Sequence, residues 1–554
     1  MQDVEVLIAG GGPTGLTLAI CLGMLGVTCE LVDARPAPVR VPRTERCDAR
    51  TMEIFRRLGI AGRVRAAGLP DDVPAHVFIC AGSLTGPPLV HYRCPPAREL
   101  LAAGLAVNDA SLPLEPPQII SQYTLEPLLR ETAESVPGVT IRFGTELVDF
   151  AAAPGGVTAM VRSGGGRTGA RLRTVRASYL AGCDGADSTV RSVLGIEMRG
   201  EIRQRVRQAL FYSPDLFERI PAGRGHQYHI ADQHQSVLTV QDDTQHFSLN
   251  VAGDAPLPAV FESVAGMPAA YKTLYEGEWT PRLMLADSYG GGRVFLAGDA
   301  AHLAGPAGNL GMNTGIGDAA DLAWKMAGTL RGWGGRGLLA CYETERRPVA
   351  ARAVEASRRA LDGELRWRAE WRQDILDNTV AGARTRVRLT QVADVSQRWS
   401  GDLAGVELGY RYDGSPLIAP ATGAGPPATG SAYTPTTWPG ARLPHTWLED
   451  GSALQDHLGH GYTLLQIMGA GAGASRDAVD DYAGALAGAF GRLGAPLSTL
   501  AVNSAAAQAV YAGHRLILVR PDLHVAWRSG DSMPDPDALA SLVTGVAPWA
   551  APPG

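Results

Sequence analysis

The chain opens with an apolar run, Val4 to Ala9, that is rich in β-branched residues and short enough for a buried strand. It breaks directly into Gly10-Gly11-Gly12-Pro13-Thr14-Gly15. Apolar residues then recur at helical spacing from Leu16 to Leu25, and Val27 to Val32 reads as a second strand ending in Asp33. The order is strand, glycine turn, helix, strand, acid. Residues 51–58 read as a helix that Gly59 is placed to cap, while 66–118 are irregular and proline-rich, a pattern for loops laid over a scaffold. The pattern predicts a helix over 122–134, a strand over 139–149, and strands over 156–162 and 171–180 joined by the turn SGGGR. Between 200 and 285 short alternating runs such as QSVLTVQ and HFSLNVAG predict an antiparallel sheet forming its own lobe. Arg293 to Leu296 is a further strand, leading into Ala297-Gly298-Asp299, and a long helical pattern covers Gly315 to Leu330. Residues 343–375, dense in Arg, Glu and Ala, read as a helix with a solvated charged face. The Pro/Gly/Thr-rich stretch 413–440 reads as a linker, and 441–548 has strand and helix patterns of its own.

At 554 residues the chain is long enough for about three to four ordinary domains, or two when one is a large α/β unit. An apolar fraction of 45% and a charged fraction of 19% exclude a disordered or collagen-like protein. The net charge of -6 gives no reason to expect nucleic acid or an anionic membrane as partner. Only Lys272 and Lys325 among the 50 basic residues are lysine, which almost empties the pool of Schiff-base candidates. The seven cysteines form no CxxC pair and are odd in number, so neither a disulfide framework nor a zinc ribbon is indicated and a reducing cytoplasm is the expected home. The N-terminus lacks a basic leader, and glycines break its apolar stretch well short of the roughly 18 residues of a membrane span.

The glycines at 10, 12 and 15 sit where a GxGxxG fingerprint has meaning, after a strand and before a helix. They permit a tight turn, close approach of backbone N–H groups to a pyrophosphate, and close packing of helix on strand. Asp33 stands where an acid accepts hydrogen bonds from a ribose. This predicts a bound dinucleotide containing ADP. The second glycine segment, Gly298-Asp299-Ala300-Ala301-His302 through Pro306 and Gly308 to Gly315, decides between NAD and FAD. It reads as a strand delivering an acid to a glycine-rich loop and a helix start, which suits ribityl hydroxyls and the electron-rich side of an isoalloxazine ring. Two of the chain's six asparagines, Asn309 and Asn313, fall in this loop. The pairs His226/His229 and His457/His460 lack companions at metal spacing, so no metal is expected. No GxSxG elbow supports an α/β-hydrolase.

GGGPTG, the segment Cys183-Asp184-Gly185-Ala186-Asp187-Ser188 with Arg191, and GDAAH followed by a proline and GMNTG together resemble the class A flavoprotein aromatic hydroxylases, whose type member is p-hydroxybenzoate hydroxylase. Arg50-Thr51-Met52-Glu53-Ile54, ISQYTLEPLL, Asp321-Leu322-Ala323-Trp324-Lys325, Leu408-Gly409-Tyr410-Arg411-Tyr412 and the 520–528 segment are similar to the longer phenol hydroxylase branch, which includes the 2,4-dichlorophenol 6-monooxygenases. The resemblance implies an α/β fold: a Rossmann-like FAD-binding domain interleaved with a mixed or antiparallel-sheet substrate domain, plus a C-terminal thioredoxin-like domain. The boundaries expected are 1–75, 102–190 and 285–345 for the FAD domain, and 76–101 and 191–284 for the substrate sheet. A helical connection over 346–412, the linker at 413–440 and the tail at 441–554 complete the chain. No cysteine follows Cys341, so thiol chemistry in the tail is excluded and packing or homodimer contact is its expected use.

Carried over residue by residue, the resemblance assigns Gly10, Gly12, Pro13, Thr14 and Gly15 to the pyrophosphate and Asp33 to the adenosine ribose. Arg43 and Gln122 match positions that reach the pyrophosphate or ribityl chain, and Leu147 the backbone that meets adenine. Asp184 belongs to a motif shared by FAD and transient nicotinamide, Asp299 to the ribityl chain, and Gly311, Met312 and Asn313 to the flavin ring. Pro306 matches the proline facing the substrate hydroxyl or peroxide. Asn309-Leu310 departs from the Gly-Gln of many relatives. The chemistry implied is reduction of FAD by NADPH or NADH, capture of O₂ as a C4a-hydroperoxide, and oxygen transfer to a phenolic ring, including the tailoring of bacterial natural products. Alternatives are Baeyer–Villiger or epoxidising chemistry on a polyketide, or a non-catalytic flavin-binding accessory protein. A base that deprotonates the phenol makes the ring more nucleophilic. Asp48 and Glu45, on the segment expected beside the flavin, and Tyr228 and His229, on the expected substrate sheet, are the candidates. The apolar and aromatic positions of 200–285 favour a neutral, hydrophobic aromatic.

Overall fold

The strands that read as unbroken apolar runs lie side by side in one eight-stranded sheet. In the computed structural model, which describes residues 3–547 apart from 38–40, 165–168, 170, 422, 424, 428–429, 470–475, 512 and 531–532, Val4–Ala9 pairs in parallel with Arg171–Gly182 and with Cys29–Asp33. The parallel order extends to Val294–Leu296 on one side and Val139–Phe143 on the other. The central strands are covered on both faces, by helices and by the antiparallel strands Thr145–Ala153 and Gly156–Ser163, which is why they need no polar alternation; Val6, Leu7 and Ile8 are fully buried. The Pro13–Met24 helix packs against Leu310–Leu330, so the two glycine-rich turns that begin these helices are brought together.

A second sheet of seven strands runs in the order 272–279, 206–212, 246–251, 237–240, 227–231, 77–81, 88–92. It is antiparallel except where Gln227–Ala231 meets Val77–Ala81. The alternation of its strands sets one face against the Leu257–Ala265 helix, with Phe211, Tyr228, Phe247, Leu249 and Phe261 in the shared core. The opposite face looks back toward the first sheet. The chain passes repeatedly between the two sheets, since 77–92 and 206–279 belong to one and 4–33, 139–182 and 290–296 to the other.

Two expectations need correcting. The region 66–118 is not merely irregular: it supplies the strands Val77–Ala81 and Pro88–Tyr92 and the helix Ala97–Ala106. Its prolines stand where these elements tolerate them, Pro88 on an edge strand and Pro96 at a helix cap. The charged helix, Tyr342–Arg368, exposes Glu355, Arg358 and Arg359 as expected, but not all of its charge is solvated. Glu345, Arg346 and Trp367 on it are buried, because acids and arginines elsewhere in the fold neutralise the charges. Residues 165–167 of the SGGGR turn and parts of the 413–440 stretch lie outside the described residues.

The C-terminal unit follows a βαβ–ββα order: Tyr462–Ile467, the helix Arg476–Leu493, the parallel strand Leu497–Val502, then Leu516–Val519, Val525–Arg528 and the helix Pro536–Val543. This is the thioredoxin-like arrangement, and it shares a core with Trp324, Leu338 and Cys341 of the first unit. Among the described residues, no helix is long and apolar enough to cross a membrane.

Candidate active site

Each glycine of the first turn answers a different demand. Gly10 has φ +105°, and a Cβ there would stand 2.2 Å from the Cys183 carbonyl oxygen; a Cβ at Gly15 would stand 2.0 Å from the Gly10 oxygen. Gly12 meets nothing within 4 Å and faces open cleft. No side chain caps the helix that starts at Pro13, so the N–H groups of its first turn are aimed at the cleft without a partner. Asp33 is at the cleft wall with its carboxylate already engaged: it accepts the Gly11 N–H at 2.7 Å and the Arg35 N–H at 2.7 Å, and pairs with the Arg35 guanidinium at 3.0 Å.

The first and second glycine-rich turns meet at Thr14. A Cβ at Gly298 or Gly315 would stand 2.5 or 2.4 Å from its hydroxyl oxygen, so both glycines exist to let Thr14 in. Arg191 ties the other motif to the same place, donating to the Ala186 oxygen at 2.7 Å and the Ala300 oxygen at 3.1 Å. Asp184 accepts from the Ser188 hydroxyl at 2.5 Å and the Val190 N–H at 3.0 Å, shaping the Thr189–Val193 helix start. The Asp299 carboxylate faces the cleft, and burial within it raises the pKa against the pull of His302 and Arg43. Behind it, Asp318 accepts the Gly298 N–H at 3.1 Å and Arg346 at 2.8 Å, and bonds His302 at 2.8 Å.

The turn from Pro306 into the Leu310–Leu330 helix uses left-handed backbone at Gly308 (φ +82°) and Asn309 (φ +55°). Asparagine is the side chain that best tolerates this conformation after glycine, which accounts physically for Asn309 at this turn. Leu310 is buried against Leu403 and Ala353. Asn313 acts as a clamp: its amide donates to the Arg46 oxygen at 3.0 Å and the Asn309 oxygen at 2.6 Å, and accepts the Asp48 N–H at 2.9 Å. It thereby fixes segment 45–48 to the first turn of the helix that carries Gly311 and Met312.

One cavity of about 1430 Å³ runs from the first glycine turn, past Asp299, Gly311 and Met312, to the open face of the seven-stranded sheet. Arg43, Gln122 and Leu147 line it. The Gln122 side chain donates to Glu126 at 2.7 Å, and its backbone N–H to the Thr44 oxygen at 2.9 Å. A long dinucleotide fits this cleft: one end has uncapped helix N–H groups beside a glycine whose Cβ side is empty, and the middle has a carboxylate suited to sugar hydroxyls.

Strand parity decides which side chains reach the cavity. Gln208, Asn250, Val237 and His229 are successive register partners across the sheet, with Thr239 and Gln227 paired in the next row, and all six line the cavity. Tyr275 and Trp279 close one side, the Trp279 indole N–H reaching Asn250 at 3.4 Å.

The four candidate bases separate cleanly. Glu45 lines the cavity; burial pushes its pKa up to about 7 although Gln241 (3.4 Å) and Ser248 (3.3 Å) donate to it, and Asp242 adds repulsion. Asp48 does not line it. Its carboxylate accepts the Thr51 N–H at 2.7 Å and caps the Ala49–Arg57 helix, and burial together with Glu407 raises its pKa to about 7. Tyr228 points the other way, into the core beneath the sheet, with its hydroxyl donating to the Gly223 oxygen at 2.7 Å. His229 reaches the cavity wall, but burial and Arg368 hold its pKa down to about 3, leaving a neutral ring without the basicity the task needs. Tyr228→Phe is therefore expected to lower stability by about 1 kcal/mol through one lost hydrogen bond and to leave turnover unchanged, as a urea melt and a steady-state assay would read. Among the described residues no group of three or more His, Cys, Asp or Glu is placed to hold a metal ion.

Sequence reasoning missed Arg368 and Glu364, which reach the cavity from the charged helix, and the amide row of Gln208 and Asn250. The signal was there for Asn250, the third of the polar residues His246, Ser248 and Asn250 at every second position of an otherwise apolar strand, but not for Gln208, which follows Arg207 in a strand without that alternation.

Residues 3–254 and 262–357 match the FAD binding domain family, and 436–553 the family of aromatic-ring hydroxylase C-terminal domains. The chain is 33% identical over 522 residues to the FAD-dependent monooxygenase opdD of Penicillium oxalicum, covering 87% of this chain and 95% of that protein. It is 31% identical to the tetracenomycin B2 monooxygenase-dioxygenase of Streptomyces olivaceus, over 97% of each. Among solved structures it is similar to RebC with bound 7-carboxy-K252c, with a TM-score of 0.86, 33% identity, and coverage of 98% of this chain and 99% of that one.

Proposed function

The chain belongs to the FAD-dependent aromatic-ring hydroxylases, and from that premise we propose that its substrate is a flat, multi-ring hydroxy-aromatic of the natural-product kind, with Glu45 as the group that takes the phenolic proton. The observation that carries this reading is the cavity wall of the seven-stranded sheet. It offers uncharged hydrogen-bonding groups, Gln208, Gln227, Thr239 and Asn250, between aromatic and apolar neighbours, a surface for ring hydroxyls and carbonyls on a flat apolar body. The relatives fit this class, being named for tetracenomycin B2 and, in the solved structure, bearing 7-carboxy-K252c.

FAD, when bound, supplies hydride acceptance from NAD(P)H and the activation of O₂. The protein's share is binding, orientation and proton control. The first-turn N–H groups beside Gly12 would hold the pyrophosphate, Asp299 the ribityl hydroxyls, and the backbone at Gly311 and Met312 the flavin ring, with Arg43, Gln122 and Leu147 along the walls. Pro306 would border the reacting end of the substrate. Asn313 bonds Arg46 and Asp48 and holds them against that same helix turn, which would keep the adjoining Glu45 in a fixed position relative to a bound flavin. With a pKa near 7 it is poised to accept a phenol proton, and Ser248 and Gln241 stabilise the charge it carries before transfer.

The pH dependence has a definite sign. Glu45 must be ionised to act, so kcat/KM rises with pH through a limb near 7. In Glu45→Gln that limb is expected to vanish and kcat to drop by about 100-fold or more. Stability moves the other way. The folded chain keeps a proton on Glu45 between pH 4.5 and about 7 that the unfolded chain has released, so stability declines across that window. The reading is tested by incubating holoenzyme with NAD(P)H, O₂ and a panel of phenols, hydroxynaphthoquinones and hydroxyanthraquinones. The expected result is reductant oxidation coupled to a ring-hydroxylated product with the multi-ring members; stimulation by single-ring phenols alone overturns the substrate class.

A further inference from the structure

The Tyr342–Arg368 helix runs from the Pro306 turn to the far end of the cavity. The Ser357 hydroxyl donates to the Ala307 oxygen at 2.9 Å, Leu361 lies 3.6 Å from where a Gly305 Cβ would stand, and Arg368 meets His229 on the sheet at 3.2 Å. Seven residues separate Leu361 from Arg368, about 10 Å of helix. A single phenol ring does not bridge that distance; several fused rings do.

Arg368 is an under-compensated cation. Its side chain is 7% exposed, it lines the cavity, and its Nη1 is buried without a hydrogen-bond partner. The nearest carboxylate, Glu364, is 4.0 Å away on the preceding turn, and burial pushes that carboxyl toward its neutral form. Asp232 acts on Arg368 only through space, and the Trp367 ring lies 4.7 Å from the guanidinium carbon. The remaining partner is His229. Arg368 Nη2 donates toward His229 Nδ1 at 3.2 Å, while Gln397 Nε2 faces His229 Nε2 at 3.3 Å. Gln397 cannot turn its oxygen to the ring, because that oxygen accepts the Trp367 indole N–H at 2.8 Å. A neutral imidazole has one acceptor nitrogen; Gln397 also donates to the Glu364 carboxyl, so that nitrogen is left to Arg368 Nη2, and Nη1 still has no acceptor. Buried donors without acceptors are costly, and a guanidinium gains most from a charged oxygen.

We propose that Arg368, with His229 and Gln397 behind it, binds an anionic oxygen carried on the substrate's ring system at the end remote from Pro306. This departs from the expectation of a neutral, hydrophobic aromatic and rests on the multi-ring hydroxylase reading. The oxygen is either an acidic phenolate, as on a hydroxyquinone, or a ring carboxylate.

The test is binding to FAD-loaded enzyme, followed by ligand and flavin absorbance, with anthraquinone, its 2-hydroxy derivative and its 2-carboxylate as probes. Wild type is expected to hold at least one oxyanion about tenfold or more tighter than the parent quinone. Arg368→Gln is expected to erase that preference while retaining FAD and parent affinity, and Arg368→Lys to restore part of it. A phenolate site shows the red-shifted band of the ionised hydroxy probe on wild type at a pH where the free probe is neutral; a carboxylate site shows preference for the carboxylate alone. Wild type binding none of the probes, or the parent as tightly as the anions, overturns the proposal, as does unchanged discrimination in FAD-replete Arg368→Gln. Because no turnover is needed, failure of the hydroxylase reading appears separately, as tight binding without NAD(P)H-dependent product.

Discussion

Arg520→Met is expected to cost about 3–5 kcal/mol and to loosen the C-terminal unit from the rest of the protein, because it leaves buried carboxylates without their cation. Arg520 is fully buried and donates twice to Glu345, at 2.6 and 2.8 Å, to Asp522 at 2.7 and 3.1 Å, and to Asp321 at 3.2 Å. Lys325 is the other cation of the cluster, 2.6 Å from Asp321 and 2.5 Å from Glu345. Removing the arginine leaves three acids facing one ammonium in a place water does not reach. Arg520 and Lys325 hold the Glu345 pKa down to about 2, so the contribution of that acid is complete above pH 4.5 and fades as pH falls toward 2. A urea melt of the variant at neutral pH should therefore show an early transition, with new protease cleavage in the 413–440 stretch. Arg520→Lys, which keeps charge but loses the fork, should fall between. An unchanged urea midpoint in Arg520→Met would refute the assignment of this cluster as the pin between the two units.

That cluster also marks the boundary of what the sequence could disclose. The glycine turns were legible because a residue without a Cβ is the physical answer to backbone contacts of 2.0–2.5 Å, and such answers leave a fixed spacing. The buried sheet and the strands of the tail were legible because runs and alternations of apolar residues report burial on two faces or one, while the thioredoxin-like order of the tail followed only from the family resemblance. Charges carry no such periodic mark. Glu345 and Arg346 sit in a run that reads as a solvated face, and their pairing depends on Arg520, 175 residues beyond Glu345, and on Asp318. Asp48, Tyr228 and His229 are set apart from Glu45 by a different kind of information. Tyr228 and His229 are adjacent on one strand, so one must face the core and the other the cavity, and the choice rests on which side the Leu257–Ala265 helix covers. Asp48 could have been placed from sequence: an acid three residues before Thr51, at the mouth of a predicted helix, is a capping residue first and a base second.

Gly12→Ala should abolish FAD retention while leaving the apoprotein as stable as wild type. The neighbouring Gly15→Ala should lose both. The difference follows from what a methyl would meet. At Gly12 there is no protein atom within 4 Å, and the backbone (φ -80°, ψ -178°) suits any residue, so folding is indifferent to the change. The methyl instead projects into the cleft beside the uncapped N–H groups, the space a pyrophosphate needs. A rise in the FAD Kd of about 100-fold or more is expected, equivalent to about 2.7 kcal/mol. FAD at about 100 times its Kd stabilises a folded chain by a similar 2.7 kcal/mol, so the variant should lose the melting-temperature gain that added FAD gives wild type, though the two apoproteins melt together. At Gly15 the methyl would stand 2.0 Å from the Gly10 oxygen, and relief requires the Pro13–Met24 helix to move off the turn. That displacement also disturbs Thr14, wedged between Gly298 and Gly315, so the damage spreads to the second turn. If Gly12→Ala retains FAD as wild type does, the pyrophosphate does not lie against this helix end, however well the rest of the cleft fits. If instead its apoprotein is destabilised, the open space at Gly12 is filled by protein in solution, and the glycine serves folding and not the cofactor.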